Sequence, residues 1–209
     1  EIMPSLVGSE MCIRDRFGQV SRPGDIKYKD LNHDGVIDSN DQAPIGYNPV
    51  PEMTFSLAAG LNWKGIDFSI LLQGAARSSI YLQQDIAWDN FWGNYYEEHI
   101  GRWTPETAAT ATYPRFTKAA TAAHPNYYKS DYWLKDSKYL RLKNIQLGYT
   151  IPRKLLKKFG VRSLRVYANA YNLFTWDNVK KVDPESSNNS NGQFYPQQKV
   201  INFGINLNF

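Results

Sequence analysis

Period-two alternation is the feature that most restricts this chain. In the closing segment 199–209, Ile201, Phe203, Ile205, Leu207 and Phe209 alternate with Asn202, Gly204, Asn206 and Asn208. Successive residues of an extended strand point to opposite faces, so this segment carries one apolar and one polar face. The pattern recurs upstream. Leu164, Val166, Ala168 and Ala170 alternate with Arg165, Tyr167, Asn169 and Tyr171, and Ile145, Leu147 and Tyr149 with Asn144, Gln146 and Gly148. Phe55, Leu57, Ala59, Leu61 and Trp63 alternate with Thr54, Ser56, Ala58, Gly60 and Asn62. Ile66, Phe68, Ile70 and Leu72 alternate with Asp67, Ser69 and Gln73, Leu71 being the exception. Five antiparallel strands are predicted, at 53–63, 66–75, 138–150, 163–175 and 198–209, in an all-β fold.

Two local details refine the register. Leu140 and Leu142 run in the opposite phase to Ile145 and Leu147. One extra residue near Lys143 reconciles the halves, as a β-bulge does. A two-residue loop at Lys64-Gly65 pairs Trp63 with Ile66 and puts both on one face, as the apolar pattern requires. The connections then alternate: short at 64–65, long at 76–137, shorter at 151–163, long at 176–197. Transmembrane barrels alternate short periplasmic turns with longer extracellular loops. With Phe209 on the periplasmic side, Trp63, Tyr149 and Phe209 end three descending strands at one depth, where an aromatic girdle belongs. A soluble β-sandwich shares the alternation and offers no reason for that alignment.

Other classes find little support. The formal charge is +4, and the densest basic run, Arg153-Lys154 with Lys157-Lys158, sits in a predicted turn, so no nucleic-acid partner is expected. As an alternative, IPRKLLKKFGV reads as a short membrane-surface amphipathic helix. No stretch approaches the roughly 18 apolar residues of a spanning helix, which leaves barrel strands of about 9–11 residues untouched. Residues 1–16, EIMPSLVGSEMCIRDR, show neither strand alternation nor a signal-peptide layout. They resemble the translated read-through of a sequencing adaptor and are expected to be a foreign or disordered lead-in. Cys12, the one cysteine, lies within them, so no disulfide is available to 17–209.

Four segments carry a family likeness: GDIKYKDLNHDGVIDSNDQAPIG, RWTPETAATATYPRF, DYWLKDSKYLRLKNIQLGYTIP and LRVYANAYNLFTW. In this order, and closed by Phe209, they resemble the C-terminal part of SusC/RagA TonB-dependent outer-membrane proteins, over roughly residues 22–209. The resemblance implies about five strands of a large barrel of about 22 strands with a plugged lumen, in the outer membrane. It implies import of glycan or peptide oligomers, with a SusD-like lipoprotein lid and TonB acting through a missing N-terminal region. It also implies that Phe209 serves as the barrel-insertion signal. No catalytic residue is implied.

The segment DLNHDGVIDSND has calcium-loop spacing: Asp30, Asn32, Asp34, Asp38 and Asp41 at positions 1, 3, 5, 9 and 12, and the Val36 carbonyl at 7. Alternate spacing turns hard oxygens inward, and a structural calcium ion is expected; an Asx-rich turn without metal is the other reading. Position 12 is Asp, whose shorter reach weakens bidentate binding, and no helices flank the loop. In the 76–137 connection Trp88, Trp92, Tyr95 and Trp103 are candidates for contacting substrate or lid. Against this stands the need of a long ordered loop for a small core of its own. His33, His99 and His124 have no triad or metal spacing, and Glu97-Glu98 or Asp85/Asp89 form no compelling acid pair. A secreted, calcium-stabilised glycan-binding β module remains the alternative function. A surface glycosidase would need carboxylates at catalytic separation.

Overall fold

A computed structural model describes residues 22–89, 93, 95–118, 124–180, 182–186 and 195–209. The 1–16 lead-in lies outside the described residues.

Five long strands make one antiparallel sheet: β1 (Met53–Trp63), β2 (Ile66–Ala76), β5 (Tyr139–Thr150), β6 (Ser163–Asp177) and β7 (Val200–Asn208), in spatial order β1-β2-β5-β6-β7. Two three-residue strands, β3 (Ser79–Tyr81) and β4 (Leu134–Asp136), pair with each other. Every long strand meets its chain neighbour, the up-and-down order that hairpin connections dictate. The β1–β2 hairpin closes at Lys64 and Gly65, with φ of 47° and 90°, and pairs Trp63 with Ile66. Positive φ at both central residues is the type I′ twist that suits two right-twisted strands.

Cross-strand rows show why alternation decides the fold. Trp63, Ile66, Tyr149, Val166 and Ile205 are register partners in turn, as are Leu61, Phe68, Leu147, Ala168 and Phe203. The next row is Ala59, Ile70, Ile145, Ala170 and Ile201. One residue along, the rows turn polar: Gly60, Ser69, Gln146, Asn169 and Asn202 share a level. The register steps from Leu142 to Asn144 against both neighbours, leaving Lys143 as the bulge residue. On β6 it steps from Tyr171 to Phe174, with Asn172 at φ 51°. β5 therefore changes phase there, whereas β6, with two residues out of register, keeps its phase; Arg141 and Thr175 remain paired on the polar face.

Within 17–209 the described residues form two compact units: 22–46 with 80–135, and 47–79 with 136–186 and 195–209. The second is the five-stranded sheet. It leaves its apolar face uncovered: Leu57, Leu61, Trp63, Leu147, Ile201, Phe203 and Ile205 are all exposed, Phe203 to 82%. The first is held by a buried aromatic core containing Trp88, Tyr113, Tyr127 and Trp133.

Candidate functional site

The polar face of the sheet unit carries two charge arrangements absent from the sequence expectations. On β2 and β6, Asp67 and Arg165 form an ion pair that reaches across the intervening β5, with Arg165 Nε donating to Asp67 Oδ1 at 2.9 Å. The strand between offers Gly148 at that level, and a Cβ there would stand 2.5 Å from the guanidinium and the carboxylate. The pair thus depends on a missing side chain. Gln146 adds an amide at the edge of Asp67.

Nearer the other end of the strands, the Arg141 side chain is 2% exposed. Its three donor nitrogens reach Thr175 Oγ1 at 3.0 Å, Glu185 Oε2 at 2.7 Å and Asp183 Oδ1 at 2.8 Å. Tyr139 hydroxyl also donates to Glu185, and Lys143 Nζ donates to Gln197 Oε1 at 3.3 Å. A guanidinium buried in this way requires charged partners, since an unpaired one costs several kcal/mol (~3–5). Burial works against ionising Asp183, but the Glu185 N–H and the Arg141 guanidinium outweigh it and hold its carboxyl below the usual range. The connection after β6 is therefore fastened to the sheet by one residue of β5.

The other unit is organised by two buried carboxylates. Asp25 accepts from Arg115 Nη2 at 3.1 Å, from Asn126 Nδ2 at 3.0 Å and from the Arg22 N–H at 2.8 Å, and Arg115 Nε completes the ion pair at 2.6 Å. Asn126, fully buried, accepts in turn from the Ile26 N–H, a contact spanning 100 residues of sequence. Asp89, 1% exposed, accepts from the Tyr127 hydroxyl and from the Thr117 N–H at 2.9 Å. Tyr113 donates to the Ala87 carbonyl at 2.8 Å. Burial first, then the Asp89 charge near Tyr113 and its hydrogen bond to Tyr127, push both phenols well above their ordinary value. These groups satisfy one another inside a core, as buried polar groups must.

The aromatic candidates divide accordingly. Trp88 is 4% exposed, its ring 4.7 Å from Tyr127, so it belongs to the loop's own core. Trp103 is half-buried against Gly24, whose added Cβ would fall 2.5 Å from the indole. Tyr95 keeps 57% of its surface exposed beside Phe116. Trp92 lies outside the described residues. Phe209 is exposed, one residue past β7.

The Asp30–Asp41 loop is closed by its own backbone. Asp30 accepts from His33 and Gly35 N–H at 2.6 and 2.9 Å, Asn32 from Asp34 at 2.9 Å, and Asp34 from Val36 at 2.7 Å. Asp38 accepts from Asn40 at 2.7 Å, and Asp41 from Leu31 and Asp38 at 2.8 Å each. The Asp38 N–H foremost, together with those of Leu31 and Asn32, lowers the Asp41 carboxyl. Among the described residues no three His, Cys, Asp or Glu side chains converge as a metal group. These residues form Asx turns.

No protein-family model matches the chain. Among curated proteins it is 30% identical over 203 residues to TonB-dependent receptor P26 of Formosa agariphila, covering 89% of this chain and 20% of that one. It is 26% identical over 195 residues to TonB-dependent receptor SusC of Bacteroides thetaiotaomicron, covering 92% and 18%. The chain thus spans about a fifth of the length of the curated relatives it matches. Among solved structures, the RagAB peptide importer in its open-open state superposes with a TM-score of 0.63 at 23% identity, over 84% of this chain and 19% of that one. Its closed-closed state gives 0.62 at 22%, over 90% and 21%. The antiparallel sheet with two-faced strands and the sequence agreement converge: the chain is SusC/RagA-like, similar over about nine tenths of its length to a segment of TonB-dependent receptors of the outer membrane.

Proposed function

We propose that this segment forms part of the wall and long loops of an outer-membrane importer of glycan or peptide oligomers, working with a SusD-like lipoprotein and driven by TonB. The observation that carries the reading is the uncovered apolar face and its aromatic ends. Trp63 and Tyr149 stand at the short-turn end, and Phe174 and Trp176, stacked 6.2 Å apart, at the other. The Val166 and Trp176 rows are eight residues apart on the regular strand β2 (Ile66 to Gly74), so at about 3.4 Å per residue and about 40° tilt the face rises about 21 Å, most of the apolar band of a transmembrane barrel, about 25 Å. Lipid is the solvent that such a face requires; a soluble monomer rarely exposes so large a patch. The polar face, rich in amides and with the Asp67–Arg165 and Arg141 charges paired, suits an aqueous lumen and hydrogen-bonding cargo. Likeness to the RagAB peptide importer favours peptide cargo, and glycan remains the second class.

The test uses the full-length receptor in its own bacterium. Deleting it should abolish growth on one oligomer class while growth on the monomers persists, and a lipoprotein should co-purify with the tagged receptor. Recovery of the receptor in the soluble secreted fraction would instead favour the secreted binding module. For the 30–41 loop, oxygen spacing supports calcium and the hydrogen bonding supports a self-closed turn. Calorimetric Ca²⁺ titration separates them: binding heat lost in Asp30→Ala supports the ion, and no heat in the parent removes it.

A further inference from the structure

We propose that the β5–β6 turn is a docking surface for anionic phospholipid headgroups in the leaflet at the short-turn end of the sheet. The proposal rests on the outer-membrane reading above. Between Thr150 and Arg165 the chain forms the short helix α1 (Arg153–Leu156), a 3-10 turn at Lys157–Phe159, and a left-handed residue at Gly160 with φ 68°. Arg153, Lys154, Lys157, Lys158 and Arg162 are all exposed there. Among the described residues none of the five makes an ion pair, and no acidic residue occurs anywhere between Asp136 and Asp177. Five like charges over ten residues repel one another.

The apolar residues of the turn point to the same partner. Leu156 is 7% exposed and anchors the turn, whereas its neighbour Leu155 is 66% exposed in the midst of the cations. An isolated apolar side chain ringed by Lys and Arg is the signature of a segment lying at a membrane interface. The turn also continues the lipid-facing surface. Ile151 N–H bonds to Leu164 O at 2.9 Å, directly past the exposed row of Trp63, Ile66, Tyr149 and Val166. Cations placed just beyond the last apolar row meet the phosphate zone, where flexible Lys and Arg side chains extend to reach headgroups.

The experiment uses the full-length receptor purified from outer membranes in a non-ionic detergent, titrated with phosphatidylglycerol or phosphatidylcholine of equal chain length, with bound lipid counted by native mass spectrometry. The parent should retain phosphatidylglycerol preferentially, and about 0.5 M salt should erase the preference by screening. The variant R153Q/K154Q/K157Q/K158Q should bind it at least about tenfold more weakly. The charge-conserving K154R/K157R/K158R should bind as the parent does, and it keeps the test informative if the neutralised variant does not fold. A parent that does not discriminate the two lipids, or a folded quadruple variant with undiminished retention, would overturn the proposal. Failure of the transporter reading would show separately, as a receptor absent from the outer-membrane fraction before any lipid is added.

Discussion

Placing an arginine at Ile201 tests the lipid-facing assignment quantitatively. Ile201 lies four residues before Ile205, which shares a row with Trp63, so at about 3.4 Å per residue and about 40° tilt it stands about 10 Å from that aromatic end, midway to the row of Phe55 and Trp176. A cationic side chain at that depth costs about 2–4 kcal/mol, or roughly 30- to 700-fold in the folding equilibrium. Phe68 pairs with Leu61, two residues from the same end, about 5 Å in; Phe68→Arg should cost only about 0–1 kcal/mol. Asn202, opposite Asn169 on the polar face, is the matched control, and Asn202→Arg should change stability by less than about 1 kcal/mol. The measurement is reversible urea unfolding of the full-length receptor from phosphatidylcholine vesicles, followed by tryptophan fluorescence and by heat-dependent gel mobility. Equal damage from Ile201→Arg and Asn202→Arg would mean that protein covers both faces and would refute the barrel wall. Equal damage from Ile201→Arg and Phe68→Arg would refute the depth scale.

Three further outcomes are expected. Arg141→Met strands the Asp183 and Glu185 carboxylates and should destabilise the receptor by about 3–5 kcal/mol; Arg141→Lys, lacking the fork that meets three acceptors, should not restore it, as thermal unfolding would record. Gly148→Val places side-chain atoms where Asp67 meets Arg165, and on a partly exposed pair the loss should be about 1–3 kcal/mol, mostly overpacking; a double variant with Asp67→Asn should be less than additive. His124 Nδ1 accepts from the Asn126 N–H at 3.2 Å, and burial, first among the causes, lowers its pKa below the ordinary 6.5. The unfolded chain then binds the proton more readily, so this contribution is complete above about pH 6.5 and declines as pH falls through that value towards the folded pKa. The protection of the Asn126 and Tyr127 amides, corrected for their intrinsic exchange rates, should fall between about pH 7.5 and about pH 5.5, and His124→Asn should flatten that dependence.

Strands were the most legible part of this chain because one face of each is uniformly apolar and a one-residue slip would invert it. Predicted and observed strand limits agree within two residues. The break at Lys143 was readable because Leu142 and Ile145 lie out of phase. Its counterpart in β6 was not, since Tyr171, Asn172, Leu173 and Phe174 mix polar and aromatic residues without a clear period. Charge pairings were hidden for a different reason. Arg141 meets Glu185 across 44 residues, and Arg165 meets Asp67 across 98, separations that no local pattern encodes. A glycine at one strand's polar position, flanked by opposite charges on the strands either side, was the available hint. The loop aromatics could not be sorted by sequence: Trp88 and Tyr95 are seven residues apart and of similar character, yet one is in a core and the other is exposed.

The ends of the 77–138 insertion are stitched together twice. In the sheet unit the Ser137 N–H bonds to Ser78 O at 3.0 Å and the two hydroxyls meet at 2.8 Å; in the other unit the Leu82 N–H bonds to Trp133 O at 2.9 Å. An insertion whose stem is already closed transmits little of its interior to its host, so its length and sequence can drift while the β2–β5 register stays fixed. Such a stem behaves as a graft acceptor. The module that hangs on this stem includes residues 22–46, since Asp25 meets Arg115 and Ile26 meets Asn126 inside it. For the engineer, a foreign loop module spliced at residues 78 and 137 must therefore bring its own partner for 22–46, while the strand pairing of the wall stays as it is.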